Sequence, residues 1–224
     1  MAQLARFIDR FTVEFVRQYP HPIERVWRAL SDPDELRAWC MPATIDLRVG
    51  GAYAFQGERW GQIVALEPPR LVRFGKQGIG PASATSDNWM QYELTPNAGG
   101  TQMRFVEHWQ EGPDYLAWAK AKFGQEGDDL PGGPHSPFHP GTLGGWHGMF
   151  DALADVLDGV PADSRLPDSR LGGIVAKWAA ARVRAGDFDA GVAERYVRQL
   201  RGEEAHLDLV DVYRAHIGAT LPVA

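Results

Sequence analysis

Strand and turn signals fill the middle of this chain and lie between two helical segments, an order that constrains the fold more than any other feature. The first helical segment covers residues 22–39, and the second begins near Gly144. Between residues 44 and 109, apolar runs alternate with turn residues such as Gly50-Gly51. The predicted strands cover about 44–48, 51–56, 60–67, 70–75, 88–95 and 101–109.

The first forty residues predict one strand and two short helices. Apolar and polar residues alternate over residues 11–15, which indicates a half-buried strand that ends near Tyr19. Pro22 suits the first turn of a helix. A second helix is expected after Asp32, which is a suitable N-cap, with Trp39 at an inward position. Together with the later strands, this predicts seven strands in all.

These pieces, in this order, resemble the SRPBCC superfamily, also called START/Bet v 1-like, and within it the Hsp90-ATPase-activator-homologue branch. The resemblance is carried by residues 22–39, 47–51, 66–72 and 144–153. It implies an α+β helix-grip fold, in which a seven-stranded curved antiparallel sheet surrounds a long C-terminal helix and two short helices follow strand 1. It also implies a hollow interior that holds a ligand. The superfamily shares this cavity but no common catalytic residues.

Two units are expected. Residues 1–160 form the START/Bet v 1-like ligand-cavity domain, and residues 161–224 form a helical C-terminal extension. Residues 110–140 are an insertion relative to the family, and its long Gly- and Pro-rich loop is interpreted as a lid over the cavity mouth. The extension is too small to bury a core of its own. It is therefore expected to dock on the main domain or on a second copy of the chain.

The C-terminal helix of the domain has two faces of different character. One face is a seam that is expected to pack on the sheet, formed by Trp146, Phe150, Leu153 and Leu157. The nearly opposite face carries glycines at positions 141, 144, 145 and 148. Either the first turn is not helical, or the small residues permit close approach of another helix. The second explanation predicts that the extension, or the same face in a homodimer, covers the glycines.

Composition argues against several classes of partner. The net charge is −6 and no block of Lys and Arg occurs, which disfavours nucleic-acid binding. No run approaches the roughly 20 apolar residues of a membrane span. The N-terminus lacks the pattern of a signal peptide, and the single cysteine, Cys40, excludes an intrachain disulfide. A cytoplasmic location and an inert Cys40 thiol are therefore expected.

Glu107 is the candidate catalytic residue, because it alternates in phase with two apolar residues. Met103, Phe105 and Glu107 share one face of the strand at residues 101–109. If this face lines the interior, Glu107 is a carboxylate in or near an apolar cavity, where burial raises the pKa and suits the group to general acid or base catalysis. The alternative is that Glu107 lies at the rim in water or pairs with an arginine.

Aromatic residues on the predicted strands and helices are expected to line the cavity, although each one could equally fill a core. The candidate ligand-binding residues are Trp39, Tyr53, Phe55, Trp60, Trp89, Tyr92, Phe105, Glu107, Trp146 and Phe150.

No metal and no cofactor are expected. His135 and His139 have the spacing of ligands on a helix, but Pro137 between them argues against that helix. His147 and Asp151 are four residues apart and can pair along a helix. The motifs of nucleotide sites and of serine nucleophiles do not occur.

The leading hypothesis is a protein that binds an apolar or polycyclic small molecule. The resemblance implies relatives in polyketide and enediyne natural-product biosynthesis or resistance. Two alternatives stay open: a polyketide aromatase/cyclase-like enzyme, in which the cavity folds a reactive chain and one or two acid/base groups assist, and a co-chaperone-like regulator of the Hsp90 ATPase.

Overall fold

The structure is a computed structural model, which describes residues 5–9, 11–55, 58–76, 88–110, 138 and 140–160. At residues 58–60, 140–142 and 144 only the backbone is described. The expected lid and the C-terminal extension lie outside the described residues, and so do His135 and His139 and the side chain of Trp60.

The described residues form eight strands and three helices. The strands are β1 (Arg6–Asp9), β2 (Thr12–Tyr19), β3 (Ala43–Ile45), β4 (Ala52–Phe55), β5 (Glu58–Glu67), β6 (Leu71–Lys76), β7 (Trp89–Asn97) and β8 (Gly100–His108). The helices are α1 (Ile23–Ser31) and α2 (Pro33–Trp39), both between β2 and β3, and α3 (Pro140–Leu157) after β8. All strands belong to one curved antiparallel sheet with the order β1-β2-β8-β7-β6-β5-β4-β3. The predicted α+β helix-grip fold is confirmed.

The strand count of seven is corrected to eight by β1 at the sheet edge. Phe7 pairs with Val13 of β2, and Asp9 forms the turn by accepting hydrogen bonds from the Phe11 amide at 2.8 Å and the Thr12 hydroxyl at 3.0 Å. β1 has only four residues, and most of their side chains are exposed. Such a short edge strand shows no alternation of apolar and polar residues, which is why the sequence pattern did not predict it.

A side-chain cap fixes the start of α2, and an arginine connects α1 to the other two helices. The Asp32 carboxylate caps α2 by accepting from the backbone amides of Asp34 at 2.8 Å and Glu35 at 3.4 Å. Arg25 of α1 then joins all three helices, because its guanidinium pairs with Glu35 of α2 and donates to the Val156 carbonyl of α3 at 3.2 Å. These contacts hold α1 and α2 against the end of α3.

The sheet and α3 enclose the interior of the domain between them. The predicted seam of α3 is buried in full: Trp146, Phe150, Leu153 and Leu157. The helix begins at Pro140, so the explanation that the glycines mark a non-helical first turn is wrong. Gly148 is buried, and the extension that is expected to cover this face lies outside the described residues. The alternative covering by the same face of a second copy stays a prediction. None of the described helices is long and apolar enough to cross a membrane.

Candidate ligand-binding site

Phe105 of β8 is at the centre of an aromatic cluster between the sheet and α3. Its ring centroid lies 4.4 Å from that of Trp146, 4.9 Å from that of Tyr92 and 5.1 Å from that of Phe150. Tyr92 and Phe105 are directly paired residues of β7 and β8, so their side chains point to the same face. The two α3 rings reach this face because they are four residues apart on one side of the helix.

A second group of rings lies on the other half of the sheet. Tyr53 contacts Phe74 and Phe55 at centroid distances of 4.9 and 5.7 Å, and all three are buried. Phe74 was not among the predicted wall residues, although it alternates in phase with Val72. Trp39, the last residue of α2, packs between the helices: its ring centroid lies 6.5 Å from that of Phe150 in α3, and its indole N–H donates to the Ala29 carbonyl of α1 at 2.8 Å.

The expectation that Trp89 lines the interior is corrected, because this residue lies on the opposite face of the sheet. Trp89 stacks on His108 at 5.5 Å, and the Arg73 guanidinium lies 4.3 Å from its ring centroid. Strand residues alternate between faces, so Trp89 is out of phase with Tyr92, which faces the interior. The same outer face carries charged pairs across the strands, including Arg104 with Glu14 at 2.8 Å.

Glu107 forms a polar centre within the aromatic interior. Its Oε1 accepts hydrogen bonds from the Lys76 ammonium and, at 3.1 Å, from the Trp109 indole, while its Oε2 accepts from the Trp146 indole at 2.7 Å. The side chains of Lys76 and Glu107 are each only 3% exposed. The alternative that Glu107 lies at the rim or pairs with an arginine is wrong, since its partners are a lysine and two tryptophans.

Lys76 is the functional candidate that the sequence reasoning missed. It follows Val72 and Phe74 at intervals of two on β6, so strand alternation alone directs it to the interior face. A lysine at the end of a strand is usually solvated, so the alternation along β6 was not enough to predict that Lys76 is buried. The Lys76 nitrogen also lies 4.3 Å from the centroid of the Trp109 ring, a cation–π contact.

Three buried tyrosines add hydroxyl groups to the interior. The Tyr19 hydroxyl donates to the Phe150 carbonyl at 3.2 Å, and the Tyr53 hydroxyl donates to the Gly75 carbonyl at 3.4 Å. No hydrogen-bond partner is found for the Tyr92 hydroxyl among the described residues, although Tyr92 is only 5% exposed. Burial, and then the nearby Cys40 and Glu107, raise the pKa of Tyr92 well above its ordinary value, so the hydroxyl keeps its proton.

Cys40 also contributes to this interior. Its sulfur lies 3.6 Å from the Met149 sulfur, and burial raises the pKa of the thiol to about 12. A thiol with so high a pKa is not ionised at neutral pH, so it lacks the thiolate that a nucleophile requires.

His147 joins α3 to β2. Its Nδ1 lies 3.1 Å from a guanidinium nitrogen of Arg17, and its Nε2 lies 3.5 Å from the Asp151 carboxylate, the pair that the spacing predicted. Across the part of the chain that the structure describes, no group of three or more His, Cys, Asp and Glu side chains is arranged to hold a metal ion.

Comparison with protein families gives a match over most of the domain. The model of the family described as "Activator of Hsp90 ATPase homolog 1-like protein" matches residues 20–158. The chain belongs to this family. The SRPBCC-type fold that the sequence motifs indicated is thereby confirmed.

A solved structure with a TM-score above 0.5 supports the same fold. The solution structure of CalU16 from Micromonospora echinospora has a TM-score of 0.53 and 17% identity, with 93% of this chain and 85% of that chain covered. The crystal structure of CalU16 has a TM-score of 0.47 and 20% identity, covering 79% and 87%. Protein MLL2253 from Mesorhizobium loti has a TM-score of 0.45 and 24% identity, covering 67% and 98%. No curated protein matches the chain.

Proposed function

We propose that this protein binds an apolar or polycyclic small molecule between the concave face of its sheet and α3. The observation that carries the proposal is the set of convergent polar groups within an aromatic interior: the Glu107–Lys76 pair and the Tyr92 hydroxyl. Small-molecule sites are typically lined by apolar and aromatic side chains with a few placed polar groups. The family and its fold fit a ligand-binding protein.

In this proposal the aromatic rings form the walls and the polar centre orients the ligand. The wall residues are Tyr53, Phe55, Phe74, Tyr92, Phe105, Trp146 and Phe150. Flat polycycles suit such walls, because offset and edge-to-face contacts between rings add to the burial of apolar area. A role in polyketide or enediyne natural-product biosynthesis or resistance would supply ligands of this shape, and it is part of the proposal.

Ligand binding is tested with 9-fluorenone, a neutral tricyclic ketone that quenches tryptophan fluorescence. We expect saturable quenching of the full chain, with a smaller amplitude in Trp146→Phe, because this variant removes an interior indole. Trp89→Phe is the matched control: it removes an indole from the outer face and should leave the saturable component unchanged. Purely linear quenching without saturation would contradict the proposal, and native mass spectrometry would identify any molecule that copurifies.

An enzyme of the aromatase/cyclase kind is the second candidate, and the buried Glu107–Lys76 pair favours it. A carboxylate there could take a proton from the carbon next to a ligand carbonyl, while the Lys76 ammonium stabilises the enolate oxygen that forms. The test is deuterium exchange into the carbon next to the carbonyl of 1-tetralone in D2O, followed by NMR. Exchange above the buffer rate that disappears in Glu107→Gln would support turnover, and a rate equal to buffer would exclude this role for that substrate.

The alternative of a co-chaperone-like Hsp90 regulator has a separate readout. Stimulation of Hsp90 ATPase activity by the full chain would favour it over the ligand-binding proposal. The family description motivates this assay, but no described surface of the chain favours the role.

A further inference from the structure

The Glu107–Lys76 pair retains hydrogen-bonding capacity that its neighbours do not use. A carboxylate has about four lone-pair positions, and the described contacts of Glu107 occupy three of them: two on Oε1 and one on Oε2. An ammonium has three N–H donors, and one of the Lys76 donors is directed to Glu107. Lys76 and Glu107 therefore offer a donor and an acceptor side by side.

Tyr92 adds a second donor near this pair. Its hydroxyl has no hydrogen-bond partner among the described residues, and the residue is 5% exposed. Tyr92 and Glu107 lie on the same face of neighbouring strands, since Tyr92 pairs with Phe105 and Met90 pairs with Glu107. The unused donor and acceptor positions of Tyr92, Lys76 and Glu107 share the interior face of the sheet, which points to a bound molecule that fills them.

The charge balance of the pair limits what such a molecule carries. Lys76 and Glu107 compensate each other, and both are almost fully buried. A ligand that brought its own charge into this interior would leave one buried charge without a partner, which is strongly unfavourable. A neutral ligand adds hydrogen bonds without disturbing the balance.

From these observations we infer that the site is selective for neutral cyclic molecules that carry a hydrogen-bond donor and an acceptor on adjoining atoms, such as lactams or enolised carbonyl compounds. The donor of the ligand meets the open position on Glu107 Oε2, and its acceptor meets Lys76. Tyr92 donates to a further ligand oxygen where one exists. This inference rests on the proposed ligand-binding function and specifies its chemistry.

The experiment uses three bicyclic molecules of similar size in equilibrium dialysis with the full chain. Isoquinolin-1(2H)-one is a neutral lactam with adjoining N–H and C=O groups, naphthalene has no polar group, and 1-naphthoate carries a negative charge. We expect the lactam to bind at least about tenfold more tightly than 1-naphthoate, because the carboxylate of 1-naphthoate leaves one buried charge without a partner.

Two variants separate the polar centre from the apolar walls. Lys76→Met/Glu107→Gln removes both charges together, so no single charge is left buried. The Gln carbonyl accepts from only one of the two indoles, because an NH2 group replaces the other carboxylate oxygen. We expect this variant to lose about tenfold or more in lactam affinity and to keep naphthalene affinity within about threefold. Arg73→Met removes a cation from the outer face of the same strand and should leave both affinities unchanged.

The outcomes distinguish the inference from the function on which it rests. If naphthalene binds saturably but lactam affinity does not fall in the double variant, the inference is wrong and the ligand-binding function stands. Binding of 1-naphthoate as tight as that of the lactam also overturns the inference. If none of the three molecules binds, this ligand class is wrong, and fluorenone quenching then decides whether the ligand-binding function survives.

Discussion

Lys76 and Glu107 reach toward each other across β7, the strand that separates β6 from β8. Each charge is tolerated in the interior because the other compensates it, and because two indoles also donate hydrogen bonds to the carboxylate. A buried pair of this kind contributes little net stability compared with apolar residues of similar volume, but each member depends strongly on the other. This dependence can be measured.

Lys76→Met alone should lower the free energy of unfolding by about 3–5 kcal/mol, because it leaves the Glu107 carboxylate buried without its counter-charge. Lys76→Met/Glu107→Gln should be more stable than this single variant, since the uncompensated charge is gone. Urea denaturation of the wild type, Lys76→Met, Glu107→Gln and the double variant gives the coupling energy between the two side chains. Additive effects of the two substitutions would show that the pair is not coupled.

Among the elements, α3 has the largest role in closing the interior. Its seam presents Trp146 and Phe150 to the same rings of the sheet, and the two side chains stack on each other at 5.7 Å with an interplanar angle of 20°. The Trp146 indole also bonds to Glu107, so one residue provides both apolar packing and a polar anchor. The helix is therefore fixed to β8 by a directional contact in addition to packing.

Trp146→Ala should cost about 3–5 kcal/mol of unfolding free energy, because it empties a site that is 8% exposed. Trp146→Phe keeps an aromatic ring and loses the N–H donor, so it should cost about 1–3 kcal/mol. Thermal and urea unfolding of both variants separate the contribution of ring packing from that of the indole hydrogen bond. A melting temperature unchanged by the alanine substitution would contradict the packing of α3 on the sheet.

One arginine of a neighbouring pair adds a hydrogen bond between α1 and α3 to the packing of these helices. Arg25 and Arg28 both bond to Glu35, but Arg25 is largely buried and also donates to the Val156 carbonyl, whereas Arg28 is 61% exposed. Arg25→Ala should lower the unfolding free energy by about 1–3 kcal/mol. Arg28→Ala, the matched control, should cost about 0–1 kcal/mol. Equal losses in urea denaturation would show that the bond to α3 contributes nothing.

For the molecule as a whole, the outer-face charges predict sensitivity to acid. Burial alone raises the pKa of Glu14, but hydrogen bonds and positive charge from Arg104 and Arg6 outweigh it and hold the pKa below the ordinary value of 4.5. A carboxyl with a lowered folded-state pKa stabilises the fold above its unfolded pKa. This contribution is lost as the pH falls through the folded pKa.

Glu14→Gln should therefore lower the unfolding free energy by about 1.5–3 kcal/mol near neutral pH. The difference from wild type should shrink as the pH falls below the ordinary carboxyl range, since wild-type Glu14 is then protonated as well. Glu93→Gln is the control, because Glu93 shares Arg104 but is 36% exposed and should cost about 0–1 kcal/mol. Urea denaturation at several acidic pH values measures the stability loss of each variant. A loss in Glu14→Gln that does not change with pH would contradict a lowered pKa of Glu14.

Local periodicity accounts for what could be predicted from the sequence. The α3 seam and the inward face of Glu107 followed from helical and strand repeats, which are properties of neighbouring residues. The interior position predicted for Trp89 is wrong, because Trp89 is out of phase with Tyr92 on β7 and therefore lies on the outer face. Lys76 was missed because its partner lies 31 residues away in sequence, and no local pattern reports such a pairing.

The two edges of the sheet have a consequence for self-association. The edge strands β1 and β3 have only four and three residues, and the pairing of β1 with β2 shifts register between Phe7 and Asp9. Short, irregular edges offer few aligned backbone groups to a strand from another molecule. Along the described strands, this limits cross-chain β-augmentation and the amyloid-like growth that long flat edges support. Contacts between copies through this part of the chain would therefore rely on side chains.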